Sequence, residues 1–153
     1  YEISECLVGS EMCIRDRQHT MLTLWCLFGS PLMLGCELTK LDDATLALLT
    51  NRDVLSMLTP DCKPHQVCLD DEKAIWCAHN AVTGEHFAAF FNLSDETQTI
   101  HCDIETLHVG DEPCAHKDAS LTELWSKEKT SVSGSAISVT PPAHGCLVFR
   151  VEN

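Results

Sequence analysis

The sequence predicts a short α/β segment followed by an all-β domain. Two observations carry this expectation. Between residues 18 and 58 the apolar side chains recur at helical spacing or in one short dense run, whereas after Pro60 and Pro64 they fall into short alternating stretches separated by turn residues. That change of period, at two prolines, sets a domain boundary near residue 60. The length of 153 residues accommodates one ordinary domain or two small units with enough core to fold.

In the first unit, residues 18–60, Met21, Leu22, Leu24, Trp25, Leu27 and Phe28 occupy nearly every face of a helix, so most of that helix must be buried. Gly29, Ser30 and Pro31 stop it. The run Pro31-Leu32-Met33-Leu34-Gly35 reads as a parallel strand covered on both faces. Asp42 and Asp43 then suit the N-terminus of a second helix. Leu46, Leu49, Val54, Leu55 and Leu58 would give that helix its core stripe. Asn51 marks a re-capped break within it, and Thr59-Pro60 ends it. Helix, buried strand, helix is a piece of an α/β fold without visible partner strands.

The second unit, residues 61–153, reads as seven strands near 66–69, 74–79, 85–92, 97–103, 121–126, 136–140 and 146–151. Asn80 to Gly84 has hairpin length, and Asn92-Leu93-Ser94-Asp95 is a second turn signal. Seven short strands with regular turns predict a small antiparallel sandwich, with residues 104–119 as an irregular excursion.

Composition excludes several functions. A net charge of −13, from 10 basic against 23 acidic residues, leaves no basic patch for a phosphate backbone, so no nucleic-acid partner is expected. No apolar run approaches the ~20 residues of a membrane-spanning helix, so no membrane partner is expected either. The ten cysteines stand at 6, 13, 26, 36, 62, 68, 77, 102, 114 and 146, with neither zinc-knuckle nor C-x-x-C spacing. Cys26, Cys77, Cys102 and Cys146 lie in apolar or alternating stretches where cysteine acts as a small hydrophobe. Buried free thiols are therefore expected over a disulfide framework, which favours the cytoplasm over secretion.

Few groups offer chemistry. His79, His86, His101, His108 and His116 are numerous but read as surface strand positions, so no metal site is expected. No helix N-terminus or strained elbow presents a cysteine for a Cys–His nucleophile. Asp70-Asp71-Glu72 reads as a solvated turn, and phosphate-binding glycine loops are absent, so no cofactor is expected. Trp76 and Trp125 could stack a sugar, yet each lies beside aliphatics, where core packing is preferred. One position has a physical reason to matter. Ligands sit at the carboxyl ends of parallel strands, which places Gly35, Cys36 and Glu37 at the rim of a substrate pocket whose other walls lie outside this chain; for Glu37 a solvated loop position is the equal alternative.

Residues 23–35 (TLWCLFGSPLMLG), Glu37-Leu38, and 46–55 (LALLTNRDVL) resemble the end of the catalytic barrel in glycoside hydrolase family 27, the α-galactosidases or melibiases. Farther on, 89–94 (AFFNLS), 121–126 (LTELWS) and 139–149 (VTPPAHGCLVF) resemble the C-terminal sandwich of the same enzymes, where an FNL strand, a DLW strand and a PPHG turn recur in this order. The resemblance runs from about Gln18 to the C-terminus. Residues 1–17 depart from it, and resemble a translated sequencing-adapter artefact or a disordered segment.

The resemblance implies that residues 18–60 are the last helix, strand and helix of a (β/α)8 TIM barrel, and that 61–153 are the appended β-sandwich. It implies a retaining hydrolase of terminal α-galactosides with two catalytic aspartates about 5–5.5 Å apart. A full barrel takes about 250 residues, and no residue here matches the motif of either aspartate. The expectation is thus a C-terminal fragment of such an enzyme, with no catalytic residue of its own and no activity alone. The alternative is a non-catalytic sandwich acting as a carbohydrate-binding or accessory module.

Overall fold

A computed structural model describes residues 11–35, 37–132 and 134–152. The helices are α1 (Glu11–Leu27), α2 (Asp43–Leu49) and α3 (Arg52–Leu55). The strands are β1 (Cys62–Leu69), β2 (Lys73–Asn80), β3 (His86–Asn92), β4 (Ile100–Asp103), β5 (His108–Val109), β6 (Glu112–Pro113), β7 (Ser120–Glu123), β8 (Lys129–Ser131), β9 (Ala136–Val139) and β10 (Cys146–Glu152). Residues 11–17, part of the segment set apart from the resemblance, contribute to α1; residues 1–10 lie outside the described residues.

The helix signals act as their chemistry requires. Gly29 adopts φ 63° just past α1, and its N–H donates to the Cys26 carbonyl, which closes the last turn. Asp42 Oδ1 accepts from the Thr45 N–H at 2.6 Å and caps α2. Asn51 Oδ1 accepts from the N–H groups of Asp53 and Val54, so the break between α2 and α3 is re-capped as expected. The core stripe is only partly realised: Val54 is buried, Leu49, Leu55 and Leu58 are half-buried, and Leu46 faces solvent.

The buried parallel strand expected at 31–35 does not form. These residues make no strand pairing, and Met33 is 80% exposed. A strand needs neighbours for its N–H and C=O groups, and every strand pairing among the described residues is antiparallel and lies in the second unit. The segment instead folds back on α1, where Trp25 Nε1 donates to the Pro31 carbonyl at 2.9 Å.

The second unit is a six-stranded antiparallel sheet in the order β1-β2-β3-β10-β7-β8, faced by the β4-β9 pair, with β5-β6 as a minimal hairpin. All seven expected strands are present with shifted ends; β8 and the β5-β6 hairpin are additional. The 3-10 turn Ile104–Thr106 and the hairpin give the 104–119 excursion its structure, and it contributes Leu107, Cys114, Ala115 and Ala119 to the core.

The sheet is covered on both faces, and β3 shows why its sequence HFAAFFN is almost wholly apolar. Ala88 and Phe90 point into a core shared with Ile100, Ile137, Leu121 and Phe149. Phe87, Ala89 and Phe91 point the other way, into a second core with Leu22, Cys26, Leu27, Val54 and Met57 from the helices. Alternation along the strand sends successive side chains to opposite faces, so the helical segment acts as a lid over one face of the sheet.

Candidate functional site

The helical segment has an inner face, which touches the sheet, and an outer one. On the outer side, Met21, Leu22, Trp25, Leu32, Met33, Leu34, Leu48 and Leu49 line an open apolar groove of about 580 Å³, whose few polar walls include Gln18 and Thr45. Gly35 lies on its edge, with open space around its α-carbon. Cys36 lies outside the described residues. Glu37 is exposed and precedes the 3-10 turn Leu38–Lys40, where its carboxylate pairs with Lys40 Nζ at 2.8 Å and accepts from Thr39 Oγ1 at 3.0 Å. The Lys40 ammonium and then the Thr39 hydroxyl hold that carboxyl below its usual range, so it is a paired surface anion in this chain. Among the described residues the groove wall contains no carboxylate or imidazole, and so offers shape and apolar surface.

The inner side carries the contacts that sequence reading missed. Trp125 Nε1 donates to the buried Thr23 hydroxyl at 3.0 Å, and His19 packs on the Trp125 ring with 4.3 Å between centroids. Asp53 of α3 binds Lys127 Nζ at 2.6 Å and Arg150 of β10 at 3.2 Å. Arg150 Nε lies 3.0 Å from Glu85 Oε1 as an ion pair, without the alignment of a hydrogen bond. The Lys127 hydrogen bond holds the Asp53 carboxyl below the usual carboxylate range against the opposing effect of burial, and Arg150 adds a smaller pull in the same direction. Lys127 also reaches Asn51 Oδ1 and the Leu124 carbonyl, which ties the α2–α3 break to the β7–β8 turn. Only three-dimensional convergence brings these charges together, and no spacing in the sequence marks them.

A third cluster stabilises the turns that follow β3 and precede β10. Asn92 Nδ2 donates to the carbonyls of Glu96, Pro141 and Pro142, while its Oδ1 accepts from Ser94 N–H and Gln98 Nε2. The FNL and PPAHG segments therefore meet at one buried amide. Gly145 closes this turn because a Cβ there would stand 2.5 Å from Pro142 Cγ.

The remaining candidates have structural explanations. Asp70 Oδ1 accepts from the N–H groups of Glu72 and Lys73, so the acidic triplet forms a capped turn. Trp76 meets Phe28 edge-on and packs against the helix-side core, so neither it nor Trp125 is a free aromatic platform. His79 and His86 stack across β2 and β3 with 4.4 Å between centroids, and His101 hydrogen-bonds Ser138. Among the described residues no group of three or more His, Cys, Asp or Glu could hold a metal ion, and no helix is long and apolar enough to cross a membrane. Cys26, Cys62, Cys68, Cys77, Cys102, Cys114 and Cys146 are free thiols. Burial pushes Cys26, Cys62 and Cys146 up to about 11, so these three are inert apolar groups rather than nucleophiles.

Known proteins share this architecture. A family model described as the alpha galactosidase C-terminal beta sandwich domain matches residues 70–151. Alpha-galactosidase A of Cellvibrio japonicus is 25% identical over 144 residues, which cover 90% of this chain and 35% of that protein. The crystal structure of a family 27 β-L-arabinopyranosidase from Geobacillus stearothermophilus superposes with a TM-score of 0.80 at 29% identity, over 91% of this chain and 30% of that one. Alpha-galactosidase I from Mortierella vinacea superposes with a TM-score of 0.77 over 94% of this chain and 37% of that one; at 18% identity the likeness is one of fold. The chain thus spans about a third of the length of each of these relatives.

Proposed function

The chain belongs to the α-galactosidase C-terminal β-sandwich domain family, and from that premise we propose that it is the C-terminal part of a retaining family 27 glycoside hydrolase acting on terminal α-galactosides. In this reading residues 61–153 are the appended sandwich and residues 18–60 are the last helix, strand and helix of the catalytic (β/α)8 barrel. The two catalytic carboxylates belong to polypeptide upstream of residue 18, and the chain alone turns over no substrate.

The observation that carries this reading is a contrast in burial. The sheet is covered on both faces, whereas residues 18–49 leave Met21 56%, Met33 80% and Leu34 46% exposed around an apolar groove. Apolar surface concentrated in one unit of an otherwise well-packed chain marks an interaction face. Seven upstream barrel strands and their helices are the occupants this reading supplies. Flanked by such strands, residues 31–35 would gain the backbone partners they lack and become strand eight. Gly35, Cys36 and Glu37 would then stand at its carboxyl end, on the rim of the sugar pocket, where barrel enzymes place their ligands.

An accessory carbohydrate-binding role is the weaker reading, because Trp76 and Trp125 are engaged by Phe28, Thr23 and His19 instead of facing solvent as a sugar platform. Hydrolysis of p-nitrophenyl α-D-galactopyranoside tests the proposal. The 153-residue chain is expected to be inactive, and a chain extended upstream through a complete barrel is expected to release nitrophenol. Turnover by the short chain, or inactivity of a folded extended chain on both α-galactoside and α-N-acetylgalactosaminide, overturns it.

A further inference from the structure

Four imidazoles gather where one core of the sandwich ends. On β2 and β3, the face that carries Ile75, Cys77, Ala88 and Phe90 into that core finishes with His79 and His86. These two are cross-strand partners, and their rings stack nearly parallel with 4.4 Å between centroids. β1 continues the row on the same face, with Lys63 opposite His79 and His65 opposite Cys77. The 104–119 excursion covers this end of the sheet. Its strand β5 lies against β1 and β2, Leu107 and Val109 pack on the core, and His108 stacks on His65 with 5.7 Å between centroids.

His86 is the inner member of the group. It is half-buried, and its Nδ1 is buried with no hydrogen-bond partner among the described residues. A neutral ring protonated on Nε2 leaves only a lone pair at that atom. The imidazolium puts an N–H there instead, with no acceptor to receive it, and a buried donor without a partner is costly. The surroundings add to that cost. On its own face His86 has Val151 of β10 to one side, and on the other His79 and Cys77 of β2, then Lys63 and His65 of β1. From the excursion, the charges of Glu112 on β6 and of His116 reach it, and His108 sits over His65. Of these groups only the exposed Glu112 carboxylate favours a positive ring.

We propose that His65, His79, His86 and His108 form an acid-sensitive clasp, which holds the 104–119 excursion against the sheet at neutral pH and releases it in mild acid while the sheet stays folded. The excursion is suited to local release, because a single 3-10 turn and a hairpin of two-residue strands define it. Protonation places like charges on two stacked pairs, one within the sheet and one bridging the sheet and β5, and opening lets water reach them. The sign follows from His86. Burial, and then His79, keep its pKa below 6.5 in the closed form, so the open form binds more protons. The closed form keeps its full advantage above the ordinary histidine range and loses it as pH falls toward the lower value.

Native-state hydrogen exchange of the 153-residue chain at pH 7.5 and pH 5.5, corrected for the pH dependence of chemical exchange, tests the clasp. The reporting amides are Leu107, bonded to the Ile104 carbonyl, and Cys114, bonded to the Leu107 carbonyl. In acid their protection should fall several-fold relative to the amides of 146–151. His86→Phe keeps a flat ring against His79 but cannot be protonated, and should remove most of that loss. His108→Gln, at an exposed position, should reduce it even where the His86 variant fails to fold. His101→Gln, on β4 outside the clasp, should leave it unchanged. Equal relative protection at both pH values, a loss shared by the excursion and β10 alike, or full acid opening in folded His86→Phe or in His108→Gln overturns the proposal.

Discussion

Trp125 donates its indole N–H to the hydroxyl of Thr23, across 102 residues of chain. Thr23 is fully buried on α1, and Trp125 sits in the turn after β7, so this bond joins the helical segment to the sandwich at a place where water has little access. Removing only the acceptor is the informative change. Thr23→Val keeps the shape and leaves the indole N–H unpaired, which is expected to cost about 1–3 kcal/mol. Denaturant unfolding should show a lower midpoint with an unchanged slope, and the combined fluorescence of Trp25, Trp76 and Trp125 should report the same transition. A midpoint equal to that of the unsubstituted chain would contradict this role.

The amide of Asn92 points its donor group at three carbonyl oxygens and its acceptor at Ser94 and Gln98. Asn92→Asp is nearly isosteric but turns a carboxylate toward those carbonyls. It should cost about 3 kcal/mol or more, well beyond the loss in Asn92→Ala, because one oxygen of the buried carboxylate would face three carbonyl oxygens with no proton between them. Thermal unfolding of the two variants side by side measures the difference.

Stability should fall between neutral and mildly acidic pH. Burial, and then the nearby His79, push the His86 pKa below 6.5, and burial does the same for His19. For both groups the unfolded chain binds more protons than the folded one in the interval between the two pKa values, so their contribution is complete above about pH 6.5 and is lost as pH falls toward the lower folded values. Chemical unfolding at pH 7.5 and pH 5.5 should show this loss, and His86→Gln should reduce it. A chain equally stable at both pH values would rule out the account of these two imidazoles.

The sandwich was legible by alternation where strands bury every second residue, as β4, β7 and β9 do, and by a short apolar run between turn residues in β3, which is buried along nearly its whole length. β8 was not legible: Lys129, Thr130 and Ser131 are all exposed, so pairing with β7 rather than patterning defines it. Residues 31–35 misled for the opposite reason. Their apolar run has the composition of a covered strand, but composition cannot supply the neighbours that hydrogen-bond it. The resemblance to family 27 rested on short segments such as FNLS and PPAHG, and the structure gives their proximity a cause in the amide of Asn92. The contacts among Asp53, Lys127, Arg150 and Glu85 depend wholly on chain folding, and no local pattern announces them.

The central claim is that a complete sandwich is joined to a helical segment whose outer face belongs against more protein. Native-state hydrogen exchange of the 153-residue chain, compared with a chain extended upstream through the barrel, measures this directly. Amides of residues 18–35 and 43–55 should exchange faster than those of 86–91 and 146–151 in the short chain, and should slow in the extended one while the strand amides change little. Equal protection of the helical segment and the central strands in the short chain, with no further slowing on extension, would contradict it.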